Sequence, residues 1–160
     1  MLQRNAIRIL DRREFVLGAT AATVVIPLLS SAAFGQGQAA DNDWQRIFKS
    51  LVGDATPSQG RIRLELPEIA ENGNTVPFNV SVESRMTDSD HVKAIHLIST
   101  ANPQPAVATF RFTPASGKAA VASRMRLAQT QDVIALAELS DGKFLMARHA
   151  VRVTIGGCGG

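Results

Sequence analysis

The only cysteine of the chain, Cys158, stands third from its end in "TIGGCGG" (154–160), with Gly156 and Gly157 before it and Gly159 and Gly160 after it. A thiol can form S–S bonds, and its thiolate is a nucleophile. Glycine has no Cβ and takes φ of either sign, so the segment reads as a thin, flexible arm. Extended, residues 156–160 span roughly 17 Å at about 3.3–3.6 Å each, enough to carry a sulfur atom away from a domain and into a narrow channel. Lowering the pKa of such a thiol takes a helix N-terminus, a histidine or a cation. The tail supplies none, and the carboxylate of Gly160 would push the pKa upward. An exposed thiol without its own activator suits a handle that other enzymes load and unload.

Other uses of this tail fit less well. A phosphate-binding loop needs a helix after its glycines, and none is expected here. Prenylation needs a cysteine fourth from the end. A functionless frayed end would leave an exposed orphan thiol, which is a liability.

The remaining chemistry-bearing residues do not converge. His91 and His96 fall on one expected strand at an odd offset, so they face opposite ways, and His149 is distant in sequence. With one cysteine beside them they offer no metal-ligand spacing. Neither metal nor cofactor is expected. The carboxylates Glu65, Glu68, Glu71, Asp88 and Asp90 sit near turns or on polar faces, and no acid–base pair stands out. No serine sits in a nucleophile elbow. Arg61 with Arg63, and Arg124 with Arg126, form i, i+2 pairs on polar strand faces, which read as solvated surface rather than as an anion-docking face.

Residues 1–35 read as an export signal. Arg12 and Arg13 precede a charge-free apolar run over 16–29 and then small residues, with cleavage expected between Ala33 and Ala40. The paired arginines and Phe15 resemble a bacterial twin-arginine signal, with Asp11 and Val16 departing from its usual residues. An exported protein works in the periplasm, and no membrane attachment is expected after cleavage. That space is oxidising, so a lone thiol there suggests an intermolecular bond or a reactive group. The chain carries a net charge of +3, of which +2 comes from these first 35 residues. The near-neutral remainder lacks the basic patch that nucleic acid requires.

The elements that must position the thiol follow from periodicity. Residues 41–52 read as a short helix capped by Asp41 or Asp43, with Trp44, Ile47, Phe48 and Leu51 on one face. From Gly60 the period becomes two: "RIRLELP", "VPFNVSVES", "HVKAIHLIST", "AVATFRF", "AVASRMRLAQ", "DVIALAEL" and "KFLMARHAVRVTI", separated by turn clusters. Asp141 and Gly142 mark a tight hairpin, since both residue types accept positive φ. About seven short strands predict an all-β, immunoglobulin-like antiparallel β-sandwich with an N-terminal helix and a C-terminal arm. The expected organisation is an export signal over 1–35, a β-sandwich domain over 41–155 and an arm over 156–160.

The leader, "LPEIAENGNTVPFNVSVES" (66–84), "VKAIHLISTANPQPAVATFRFTPASGKAAVASRMRLAQTQDVIALAELSDGKF" (92–144) and "VTIGGCGG" (153–160) together resemble the SoxY family of the bacterial thiosulfate-oxidising Sox system. The resemblance implies a non-catalytic covalent carrier, with Cys158 holding thiosulfate-derived sulfur intermediates. It also implies a heterodimer with a SoxZ-like β-sandwich subunit. A c-type cytochrome enzyme would conjugate thiosulfate, a hydrolase would release sulfate, and a sulfur dehydrogenase would oxidise the remaining sulfur. Two other readings stand beside it: a periplasmic thiol adaptor forming mixed disulfides with partner proteins, and a plain β-sandwich interaction subunit with an incidental tail.

Overall fold

The computed structural model describes residues 36–156. Arg12 and Arg13 of the expected export signal, and Gly157, Cys158, Gly159 and Gly160 of the arm, lie outside the described residues. The elements run α1 (Gln36–Val52), β1 (Ile62–Glu65), β2 (Ile69–Ala70), β3 (Val76–Val82), β4 (Val92–Ser99), β5 (Ala106–Arg111), β6 (Ala119–Met125), β7 (Gln131–Leu139) and β8 (Phe144–Val153). A three-stranded sheet has the order β1-β3-β6, and a five-stranded sheet has the order β2-β8-β7-β4-β5. Every pairing is antiparallel except that of β2 with β8. After β1 the chain leaves the first sheet and joins the second as β2, giving an immunoglobulin-like sandwich. The expected fold class holds, with eight strands. The additional one, β2, is two residues long, too short for alternation to reveal, and is defined by its register: Ile69 beside Arg152 and Ala70 beside Val153.

β3 follows the period-two expectation throughout. Val76, Phe78, Val80 and Val82 are buried, while Pro77, Asn79 and Ser81 are exposed, as β-branched and aromatic residues on one face of a half-wet strand should be. Pro77 lies in the middle strand of its sheet, where a missing N–H would normally break a ladder. Here β1 pairs only with residues 79–82 of β3, so at Pro77 the strand has a single neighbour, Arg124 of β6. The inner faces meet in one core of Phe78 and Val80 against Ile95, Leu97, Val133 and Val151. Phe78 and Phe110 pack with tilted rings 6.4 Å apart. Each such side chain contributes roughly 1.5–3 kcal/mol through burial.

β4 and β7 depart from alternation and are buried along almost their whole length. Ile98, Ile134 and Leu136 point away from the sandwich core by parity, yet each is about 1% exposed or less. The reason is α1, which packs against β4 on that face. Trp44, Ile47, Phe48 and Leu51 form its half-buried stripe. Trp44 meets Phe48 edge-on at 6.4 Å, and the guanidinium of Arg148 lies 5.8 Å from the Trp44 ring centre. Arg148 also donates from Nε to Asp132 Oδ2 at 2.8 Å.

Three expected boundaries move. The helix starts at Gln36 rather than at 41, so neither Asp41 nor Asp43 caps it; Asp43 pairs instead with Arg46 one turn on. Gln38, Ala39 and Ala40 are good helix formers, no proline or glycine separates them from the apolar stripe, and Gly37 falls in the first turn, where it interrupts little. β6 stops at Met125 and β8 at Val153, each short of its alternating pattern. Arg126 therefore sits in a loop, and only Arg124 lies on the outer face of β6. At the β7–β8 hairpin only Gly142 takes positive φ, 81°. Asp141 instead accepts hydrogen bonds from Lys143 Nζ (2.8 Å) and from the Lys143 backbone N–H (3.0 Å), which hold its carboxyl below the usual range.

Candidate functional site at the root of the arm

β8 leads to the arm, and two segments, 70–73 and 128–130, seize the chain where the strand ends. The Val153 N–H donates to Thr130 Oγ1 at 3.0 Å. The Thr154 N–H donates to the Ala70 carbonyl at 3.0 Å, and Thr154 Oγ1 donates to the Glu71 carbonyl at 3.0 Å. The Ile155 carbonyl accepts the Gly73 N–H at 2.8 Å, and the Gly73 carbonyl in turn accepts the Leu127 N–H at 2.8 Å. Gly156 then lies against the carbonyl of Ala128, so close that a Cβ on Gly156 would fall well inside the van der Waals distance of that oxygen. These contacts close a ring through residues 155–156, 127–128 and 73.

The loop that receives Gly156 is itself held. Leu127 is fully buried. Asn102 accepts the Ala128 N–H at Oδ1 (2.9 Å) and donates from Nδ2 to the Arg126 carbonyl (2.8 Å). Gln131, only 7% exposed, donates from Nε2 to Asn102 Oδ1 (2.7 Å) and to the Gln129 carbonyl (3.1 Å), and accepts the Ala101 N–H at 2.8 Å. Every polar atom of this buried amide is used, as burial demands. Beside it opens a shallow groove of about 220 Å³ between Asn102, Gln104, Val107, Arg126 and Ala128.

Of the expected site residues, the structure describes Gly156 and finds it wedged against the body. The anchored chain runs through 154 and 155, which are bends rather than strand, to Gly156. Cys158 is two residues further on, so its Cα lies within about 7 Å of the Gly156 Cα, well short of the 17 Å spanned by the whole tail. Sequence reasoning did not single out Asn102, Thr130 or Gln131. The turn clusters between the expected strands include "NPQP" (102–105) and "TQ" (130–131), and nothing in period-two patterning marks a glutamine that will be buried.

The histidines stand apart. His91 precedes β4, with Nδ1 3.0 Å from the Thr87 carbonyl oxygen. His96 lies in mid-strand on the α1 side, 9% exposed, with Nδ1 3.0 Å from Thr109 Oγ1. Burial holds it below its ordinary pKa of 6.5, Glu138 opposes this and Arg111 assists it. His149 lies on the inward side of β8 opposite Val133, and its Nε2 is buried without a hydrogen-bond partner among the described residues. No group of three or more His, Cys, Asp or Glu side chains that could hold a metal ion occurs among the described residues.

Comparison with known proteins gives a consistent picture. A family model described as "Sulfur oxidation protein SoxY" matches residues 48–158. Among solved structures, the sulfur carrier protein SoxY from Chlorobium limicola f thiosulfatophilum is 30% identical with a TM-score of 0.58, covering 73% of this chain and 99% of that one. Superoxide reductase (neelaredoxin) from Ignicoccus hospitalis is 17% identical with a TM-score of 0.53, covering 59% of this chain and 80% of that one. Superoxide reductase from Nanoarchaeum equitans is 10% identical with a TM-score of 0.51, covering 60% and 100%. The two reductases share the sandwich fold alone. No curated protein matches the chain by sequence.

Proposed function

The chain belongs to the SoxY family of sulfur-oxidation proteins, and from that premise we propose that it is a covalent carrier of thiosulfate-derived sulfur, loaded on Cys158. The observation that carries this reading is that the family match runs through to residue 158, the one cysteine of the chain. The chemistry balances with a thiol and external enzymes. The Cys158 thiol and thiosulfate join through a new S–S bond, releasing the thiol proton and an electron pair to a c-type cytochrome enzyme. Water then splits the bond between the terminal sulfone group and its neighbour, releasing sulfate and leaving a persulfide on Cys158. A sulfur dehydrogenase oxidises that remaining sulfur with oxygen from water, passing its electrons to an acceptor of its own, and a second hydrolysis releases sulfate and frees the Cys158 thiol. The chain contributes tethering: an intermediate that stays bonded to the arm beyond Gly156 meets each enzyme at an effective concentration set by the arm's length. Each partner supplies the activation of the thiol.

The same reading takes 1–35 as a twin-arginine export signal bearing Arg12 and Arg13, the periplasm as the site of work, and a SoxZ-like sandwich subunit as the constant partner. Intact-mass measurement on protein isolated from thiosulfate-grown cells tests it. The expected result is thiosulfonate and persulfide adducts on Cys158, with thiosulfate oxidation abolished in Cys158→Ser. Only free thiol on Cys158, with oxidation continuing in Cys158→Ser, sinks the reading.

A further inference from the structure

Four described glycines, Gly53, Gly60, Gly117 and Gly142, have positive φ and open space where a Cβ would stand. Gly156 is the reverse: its φ lies outside the left-handed region, and a Cβ would collide with the Ala128 carbonyl. Space, rather than conformational freedom, is what requires glycine here. The carbonyl cannot give way cheaply, because Leu127 is buried beside it and Asn102 holds the backbone of both Arg126 and Ala128. Any added volume must therefore displace the end of the chain.

We infer that Gly156 is a positioning residue: its close seat on Ala128 fixes where the arm is rooted, and two residues of chain limit the Cys158 Cα to about 7 Å from that seat. This rests on Cys158 being the carrier thiol. An extended pair of residues reaches about 7 Å, so an enzyme acting on the sulfur must approach this end of the sandwich closely. A shift of the root moves the thiol by a large fraction of its whole reach. A flexible arm rooted anywhere would be insensitive to such a shift; this one is not.

The test compares wild type, Gly156→Ala and Cys158→Ser, each as the full chain with its partner proteins. The rate of thiosulfate addition to Cys158 in the host's thiosulfate-oxidising fraction is followed by intact mass at varied carrier concentration. Gly156→Ala is expected to raise KM for the carrier by roughly tenfold or more, within the ~100-fold that a misplacement of about 1 Å can cost. Its Tm and its alkylation by iodoacetamide, a probe small enough to ignore where the arm starts, should stay at wild-type values. Inserting two glycines before Cys158 in the Gly156→Ala chain should bring KM back down, which a damaged fold would not allow. An unchanged KM in Gly156→Ala, or a raised one that the longer arm does not relieve, overturns the inference. Should Gly156→Ala lower Tm, Thr130→Val, which removes the side-chain bonds to Val153 without adding volume, serves instead, and an unchanged KM there overturns it equally. Continued adduct formation in Cys158→Ser would instead refute the carrier reading itself.

Discussion

In the three-stranded sheet β3 alternates between buried and exposed at every residue, whereas in the five-stranded sheet β7 is buried along nearly all of its length. One sheet keeps a wet face; the other has the sandwich core on one side and α1 against β4 on the other. The buried polar side chains among the described residues, His96, Ser99, Thr100 and Gln131, all belong to β4, to the residue after it, or to β7. Three of these lie toward the arm. Ser99 Oγ donates to the Pro105 carbonyl, Thr100 Oγ1 accepts the Asp132 N–H, and Gln131 gathers Asn102 and Gln129. Apolar alternation suffices to hold one sheet against another. Holding loops in place takes hydrogen bonds shielded from water, and the sheet dried on both faces is where those can be strong. That sheet carries β8, and hence the arm.

The contrast can be broken by mutation. Leu136→Ala, on the α1 face, should destabilise by about 2–5 kcal/mol in urea unfolding, because it opens a cavity in a packed layer. A loss near zero would mean that α1 does not seal this face. Gln131→Leu should cost about 1–3 kcal/mol by stranding its former partners. It should also speed hydrogen exchange at Ala101 and Ala128, while leaving Val80 in the other sheet unchanged.

The buried histidine gives the five-stranded sheet a pH dependence. Burial keeps folded His96 below the 6.5 of the free side chain. The unfolded chain therefore takes up a proton that the folded chain refuses, and the stability present above pH 6.5 is lost as pH falls toward the folded pKa. In His96→Gln, the urea midpoint should decline less steeply below about pH 6.5 than in wild type. Equal slopes would remove His96 as the cause. The smallest effect belongs to the wet face, where Ser81→Ala on β3 should stay within about 0.5 kcal/mol of wild type.

The legible parts of the fold were those where a residue's own type decides its place. Val76, Phe78, Val80 and Val82 could be read as an inward face, and Trp44, Ile47, Phe48 and Leu51 as a helix stripe, because repeat spacing maps directly onto burial. The hairpin at Gly142 was legible for the same local reason, although Asp141 contributes through hydrogen bonds to Lys143 rather than through positive φ. Ile98, Ile134 and Leu136 were not legible as buried on a second face, since their cover comes from a helix far away in sequence.

The root of the arm divides along the same line. The order of residues alone shows a lone thiol among glycines, with no neighbour to activate it, and this is enough to argue for a handle rather than a catalyst. Composition also suggested that all of 156–160 was free chain. The folded domain shows otherwise for Gly156, because the atom that excludes a side chain there, the Ala128 oxygen, is 28 residues away in the chain and is brought into place by Asn102, Leu127 and Gln131. Local chemistry depends on residue type and so can be read in one dimension. Reach depends on where the chain is last held, and that is a matter of contacts between distant segments.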